Sequence, residues 1–153
     1  MKYSNSHSKG YTLIELMVVV VIISLLLAIS LHWLDNLQQW NKLSTAAAIL
    51  SAELKTAQSR AFYEGIYYKL QFWPSLDRYR IYKQTELYKD IPLEDIDLFN
   101  TNFTDNNLYF YPSGVPGQGG TVTLKNKKGK VLYVIMTPVT ARVRISQEPP
   151  ENW

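Results

Sequence analysis

Cysteine is absent from the 153 residues. That excludes disulfides, thiolate zinc sites and a cysteine nucleophile, and it suits an extracytoplasmic domain without requiring one. Histidine is nearly absent: His7 and His32 are the two in the chain, and neither lies in the part that reads as globular, which leaves no imidazole there for a metal or for acid–base work. Proline and glycine are missing between Gly10 and Gly65, so nothing in that stretch interrupts a helix. Acids are missing before residue 15, where Lys2 and Lys9 stand, and again over residues 106–147, which hold six bases. Residues 85–105 carry the opposite bias, six acids to one base. No phosphate-binding glycine loop, dinucleotide fingerprint, metal-ligand spacing or Ser/His/Asp set occurs, so the reading is of a non-enzyme with no cofactor and no metal. Glu94, Asp95 and Asp97 invite comparison with a calcium loop, but no regular, glycine-containing ligand series accompanies them. They read as a solvated acidic loop.

What the chain does have is one long apolar run. Residues 16–31 contain no charge and two serines, and the wider span 11–34 contains a single charge, Glu15. About 20 apolar residues cross a bilayer as a helix, so the span is long enough. Lys2 and Lys9 ahead of it keep the N-terminus cytoplasmic and send the remainder across. A carboxylate in such a run costs about 2.5–3.5 kcal/mol at the bilayer centre. Either Glu15 is tolerated as a first-turn acid that favours the helix dipole and reaches toward water, or it awaits a positive partner. An ordinary signal peptide has a small-x-small cleavage site after its apolar core. Here residues 30–34, Ser-Leu-His-Trp-Leu, are bulky, and the small residue of note, Gly10, precedes the core.

The stretch KGYTLIELMVVVVIISLLLAIS, residues 9–30, resembles the processing motif of type IV prepilins and pseudopilins. The resemblance implies a leader, residues 1–10, removed by a prepilin peptidase after Gly10. Tyr11 would become the mature N-terminus and be methylated, in a position usually held by Phe. It also implies that Glu15, the fifth mature residue, meets the terminal ammonium of a neighbouring subunit in a filament of staggered helices. Opposite charges attract strongly in a low dielectric, and either one left alone there is costly, so the pair would set assembly register. Ser24 and Ser30 can bond back to their own helix.

Beyond residue 34 the apolar run gives way to a 3.6-residue period: Leu43, Ala47, Leu50, Leu54, Ala57 and Ala61 fall on one stripe. This predicts a helical segment over 35–65 that packs on its own domain rather than in a coiled coil, with Gly65 as its stop. Asp35-Asn36 leaves continuity with the first segment open. The rest, 66–146, reads as antiparallel strands. A hairpin of 66–73 and 78–83 turns at Pro74–Asp77. An acidic connection over 85–107 holds one short element near 96–99, and a strand follows at 108–111. A glycine-rich loop to Gly120 reads as flexible. A second hairpin pairs 121–126 with 130–137 around Lys127-Lys128-Gly129, a last strand covers 142–146, and a loose tail, 147–153, ends the chain. The fold class is α+β: a long N-terminal helix packed on an antiparallel sheet of two hairpins plus extra strands.

The order of elements, with "LKTAQSRAFYEG", "LYFYPSGVPGQGGTVTL" and "ARVRIS", resembles the GspH/FimT-like minor pseudopilins. That implies a structural subunit of a type II secretion pseudopilus or a type IV pilus, residing in the plasma membrane and then in the filament. Its implied partners are other pilins, the prepilin peptidase, the membrane assembly platform and lipid. A major pilin is the rival within the family. The bases Lys125, Lys127, Lys128, Lys130, Arg142 and Arg144 suggest a stripe on adjacent strands, which is a phosphate-binding footprint or a solvated face balancing the acidic loop. FimT-like pilins of DNA-uptake systems carry a C-terminal Gly-Arg-x-Arg signature; here Ala141 stands in place of the glycine. A DNA-binding minor pilin is therefore the alternative reading, and a membrane-anchored enzyme is the remote one.

Overall fold

The helix-breaker-free stretch forms the helix it predicts. The structure, a computed structural model, describes residues 11–138 and 140–150. In it α1 runs Leu13–Glu64 and stops at Gly65, whose φ of +66° is the left-handed conformation of a helix C-terminus. The chain divides into two units between Leu37 and Gln38. In the first, every described side chain from Tyr11 to Ala28 is exposed, and the large apolar ones from Leu13 to Leu27 all lie between 50% and 80% exposed. Among the described residues no helix is long and apolar enough to cross a membrane. The side chains of residues 29–33, Ser30 and His32 among them, lie outside the described ones, so the expected span 11–34 is described only in part.

The second unit is built on the predicted stripe. Leu43, Ala47, Leu50, Leu54, Ala57 and Ala61 are each at most 2% exposed. They meet the inner faces of two four-stranded antiparallel sheets. One sheet has the order β3-β2-β1-β5, from β1 (Tyr68–Trp73), β2 (Arg78–Lys83), β3 (Glu86–Pro92) and β5 (Asn107–Phe110). The other has the order β4-β6-β7-β8, from β4 (Ile96–Thr101), β6 (Gly120–Asn126), β7 (Val131–Met136) and β8 (Val143–Ser146). Period-2 alternation puts Tyr68, Leu70, Phe72, Tyr79, Ile81, Leu108 and Phe110 inward from the first sheet. Ile96, Leu98, Val122, Leu124, Leu132, Val134, Met136 and Val143 come from the second, all in one cluster. Phe103 lies between the sheets in sequence and stacks on Phe72, with ring centroids 5.5 Å apart.

Three expectations are corrected. There are two sheets, not one. The acidic connection holds a complete strand, β3, in addition to β4. β3 is an edge strand whose Leu87 and Tyr88 face solvent, and an exposed edge rich in charge and ending in proline lacks the alternation that marks a half-buried strand. The loop after β5 is tied down rather than free. Tyr111 N–H donates to the Val115 carbonyl (3.1 Å), Gly114 N–H to Tyr111 (2.8 Å) and Gly117 N–H to Tyr109 (2.8 Å). Gln58 of α1 also donates its Nε2 to the Gly114 carbonyl at 3.0 Å.

Candidate functional site

The assembly candidate is the start of α1. Thr12 precedes the first helical residue, and Glu15 is the third residue inside it. The Glu15 carboxylate accepts from the Thr12 backbone N–H (3.0 Å) and from its hydroxyl (3.1 Å), while Glu15 N–H donates back to Thr12 Oγ1 at 3.3 Å. This is a reciprocal capping box, satisfying donors that the first helical turn leaves open. It gives Glu15 a role inside its own chain, one that reading it only as a dipole acid or as a neighbour's counter-ion did not include. The signal was in the sequence, since Thr12-Leu13-Ile14-Glu15 is the capping-box spacing. Tyr11 is 91% exposed, and Gly10, with the whole leader, lies outside the described residues. Ser24 donates its hydroxyl to the Val20 carbonyl at 2.8 Å, so its polar group stays within the helix.

The basic residues fall into two groups rather than one stripe. Lys125 lies opposite Val131 in the β6–β7 register, and Arg144 lies opposite Ile135 in the β7–β8 register. Four residues of β7 separate them, about 13 Å at the usual strand rise. Lys127 and Lys128 sit with Lys130 around the β6–β7 turn, while Arg142 just precedes β8 and Arg144 lies within it, at the other end of β7. Their surroundings differ as well. Lys127 and Lys42 of α1 both bind the Asp95 carboxylate, the latter at 2.7 Å. Together they hold Asp95 down to about 2, Lys127 contributing most. Lys125 lies over the Phe99 ring, 5.1 Å from its centroid, and Lys130 over the Trp40 ring at 5.4 Å. Arg142 and Arg144 are exposed and make no ion pair among the described residues.

The acidic loop is thus one anchor of a clasp joining α1, the β3–β4 connection and the β6–β7 turn, with the exposed Asp95 carboxylate paired to two ammonium groups. Asn126, which no pattern in the sequence singles out, locks the same turn. It is 2% exposed. Its Oδ1 accepts from the N–H groups of Lys128 (3.0 Å) and Lys130 (2.9 Å), and its Nδ2 donates to the Gln39 carbonyl at 3.2 Å. Among the described residues no group of three or more acidic or histidine side chains is placed to hold a metal.

A model of the prokaryotic N-terminal methylation motif matches residues 5–31, the segment that contains Gly10, Tyr11 and the capping box. The fold is similar to that of the minor pseudopilin EpsH from the type 2 secretion system of Vibrio cholerae. The TM-score is 0.59 at 13% identity, over 69% of this chain and 96% of that one. The chain thus carries a prokaryotic N-terminal methylation motif on a type IV pilin-like fold. It is similar also to the type IV minor pilin FimU of Pseudomonas aeruginosa in two crystal forms. One aligns with a TM-score of 0.57 at 14% identity, over 71% of this chain and 98% of that one. The other gives 0.56 at 16%, over 74% and 92%. No curated protein matches the chain in sequence. The long N-terminal helix on antiparallel sheets is the α+β arrangement the sequence predicts.

Proposed function

We propose that the chain is a minor structural subunit of a type II secretion pseudopilus or type IV pilus, cut after Gly10, methylated at Tyr11 and incorporated through its N-terminal helix. The observation that carries the reading is the exposure of the apolar side chains from Leu13 to Leu27 on all sides of α1. A helix apolar all round belongs inside a membrane or a protein core, and a subunit that passes from one to the other uses the same surface twice. The methylation motif over residues 5–31 supports trimming that keeps this helix on the mature protein. Before assembly, residues 11–34 anchor the chain in the plasma membrane as a single pass with the leader on the cytoplasmic side. In the filament the Glu15 carboxylate leaves or shares its capping box to meet the ammonium of a neighbouring pilin-type subunit. The partners are other pilins, the prepilin peptidase, the assembly platform and lipid, and the subunit performs no catalysis itself.

Mass spectrometry of the mature protein tests the processing step. The expected N-terminus is methylated Tyr11, and Gly10→Leu accumulates the uncut precursor. A mature chain beginning at any other residue contradicts the proposal.

A second reading, a DNA-binding minor pilin of an uptake system, is favoured by the exposure of Arg142 and Arg144 and by their having no ion-pair partner among the described residues. A phosphate contact made by these two predicts a gel shift of duplex DNA that weakens with salt and disappears when both become alanine. A shift that survives the double substitution rules out these two residues. Secretion and transformation phenotypes of a deletion strain separate the two systems.

A further inference from the structure

The outer face of the β3-β2-β1-β5 sheet ends in a cleft that the filament role does not use. On β5, Leu108 and Phe110 point into the core, and Asn107 and Tyr109 alternate with them toward the outside. Asn107 lies opposite Gln71, and Tyr109 opposite Lys69. Tyr111 continues the same row just beyond the strand. The returning loop closes the other side of a cleft of about 230 Å³, and its Gly117 seats the Tyr111 ring, since a Cβ there would be 3.3 Å from Tyr111 Cε2.

The polar side of the cleft is held in place by its own hydrogen bonds. Gln118 Nε2 donates to the Asn107 carbonyl at 2.8 Å, and its Oε1 accepts from the Thr104 hydroxyl at 2.9 Å. Asn107 Nδ2 donates to the Asp105 carbonyl at 2.9 Å, whereas Asn107 Oδ1 is buried without a donor.

We propose that this cleft binds a saccharide. The chemistry of the wall selects that class. Two half-exposed tyrosine rings offer flat apolar faces to the C–H face of a pyranose. The fixed amides and the Asp105 carboxylate offer acceptors and donors to its hydroxyls. No lysine or arginine lines the cleft, so a phosphate-bearing ligand finds no counter-charge. One carboxylate alone is too few for a divalent cation, which takes six or more oxygens. A few placed polar groups against aromatic walls are the usual make-up of a small-molecule site. The ligand is a free oligosaccharide or the exposed chain of an insoluble polysaccharide, and the two share this chemistry.

The test uses the full chain in a zwitterionic detergent that contains no sugar. Glucose oligomers and N-acetylglucosamine oligomers are titrated calorimetrically, and co-sedimentation with cellulose and with purified peptidoglycan forms a second arm that separates soluble from polymeric sources. The expected result is saturable binding in at least one arm, weakened about tenfold or more by Tyr109→Ala and by Tyr111→Ala. It is nearly unchanged by Tyr111→Phe or by Arg142→Ala with Arg144→Ala. Both alanine substitutions remove exposed rings, and amide shifts at Asn107 and Gln118 on ligand addition report the site independently of them. Absence of binding in both arms overturns the proposal, as does binding that both tyrosine-to-alanine variants retain, or a single-stranded oligonucleotide that takes the cleft instead. None of these results depends on filament entry, so the proposal and the assembly reading fail separately.

Discussion

The Glu15 carboxylate closes a capping box, and the proposed function asks a second role of its charge; the two can be separated by chemistry. Its oxygen completes the capping box with Thr12, and its charge is what a neighbouring ammonium would seek. Thr12→Val keeps the shape and the Glu15 charge but removes the hydroxyl. The expected outcome is faster amide exchange in the first turn of α1, with processing and assembly retained. Asp95 is a second residue with a readable charge. Its ordinary carboxyl value of 3.8 is lowered to about 2, first by Lys127 and then by Lys42. A depressed folded-state pKa means that the carboxylate's contribution to stability is present above 3.8 and is lost as the pH falls through that window toward about 2. Asp95→Asn should therefore flatten the acid limb of the stability curve there, as followed by circular dichroism on acid titration. An unchanged acid limb would mean that the clasp contributes nothing to folding.

At the scale of elements, the core is a helix stripe on two sheet faces, and its weak points are specific. Leu50 is fully buried, and Leu50→Ala should cost about 2–5 kcal/mol in denaturant unfolding. Gly120 opens β6 where the chain passes Phe103. A Cβ there would lie 2.5 Å from Phe103 Cε1 and 2.8 Å from Asn102 Oδ1, and Asn102 Oδ1 also accepts from Thr121 N–H. Gly120→Ala should destabilise by about 1–3 kcal/mol through overpacking, measurable in the same unfolding experiment.

The helix stripe was legible residue by residue because a 3.6 period over six positions has one geometric solution. β2 was legible because its alternation is clean and a proline turn precedes it. β3 was not legible, because an edge strand gains its stability from one neighbour and leaves its side chains in solvent, so composition favours a loop. The division of the basic residues was hidden for a different reason. Sequence proximity put Lys125 to Lys130 and Arg142 to Arg144 in one region, but the β7 strand between them carries them to opposite ends of the sheet. The cleft beside β5 was invisible for the same cause, since Thr104, Asn107 and Gln118 meet through pairing and loop return rather than spacing.

For the whole molecule, the described N-terminal unit exposes apolar surface on every side, while the second unit encloses its own core. Under the proposed function the first unit is the anchor and the second the head, and the anchor would need one environment before assembly and another after it. The central claim is that the charge of Glu15, and not merely its hydrogen bonding, admits the subunit to a filament. Glu15→Gln isolates that charge, because glutamine closes a capping box as glutamate does but carries no charge. The deciding measurement is the amount of matured Glu15→Gln protein recovered in sheared or purified filaments relative to the unaltered chain. The expected result is that the variant is cut after Gly10, accumulates in the membrane and is missing from the filaments. Incorporation of Glu15→Gln at the level of the unaltered chain would contradict it.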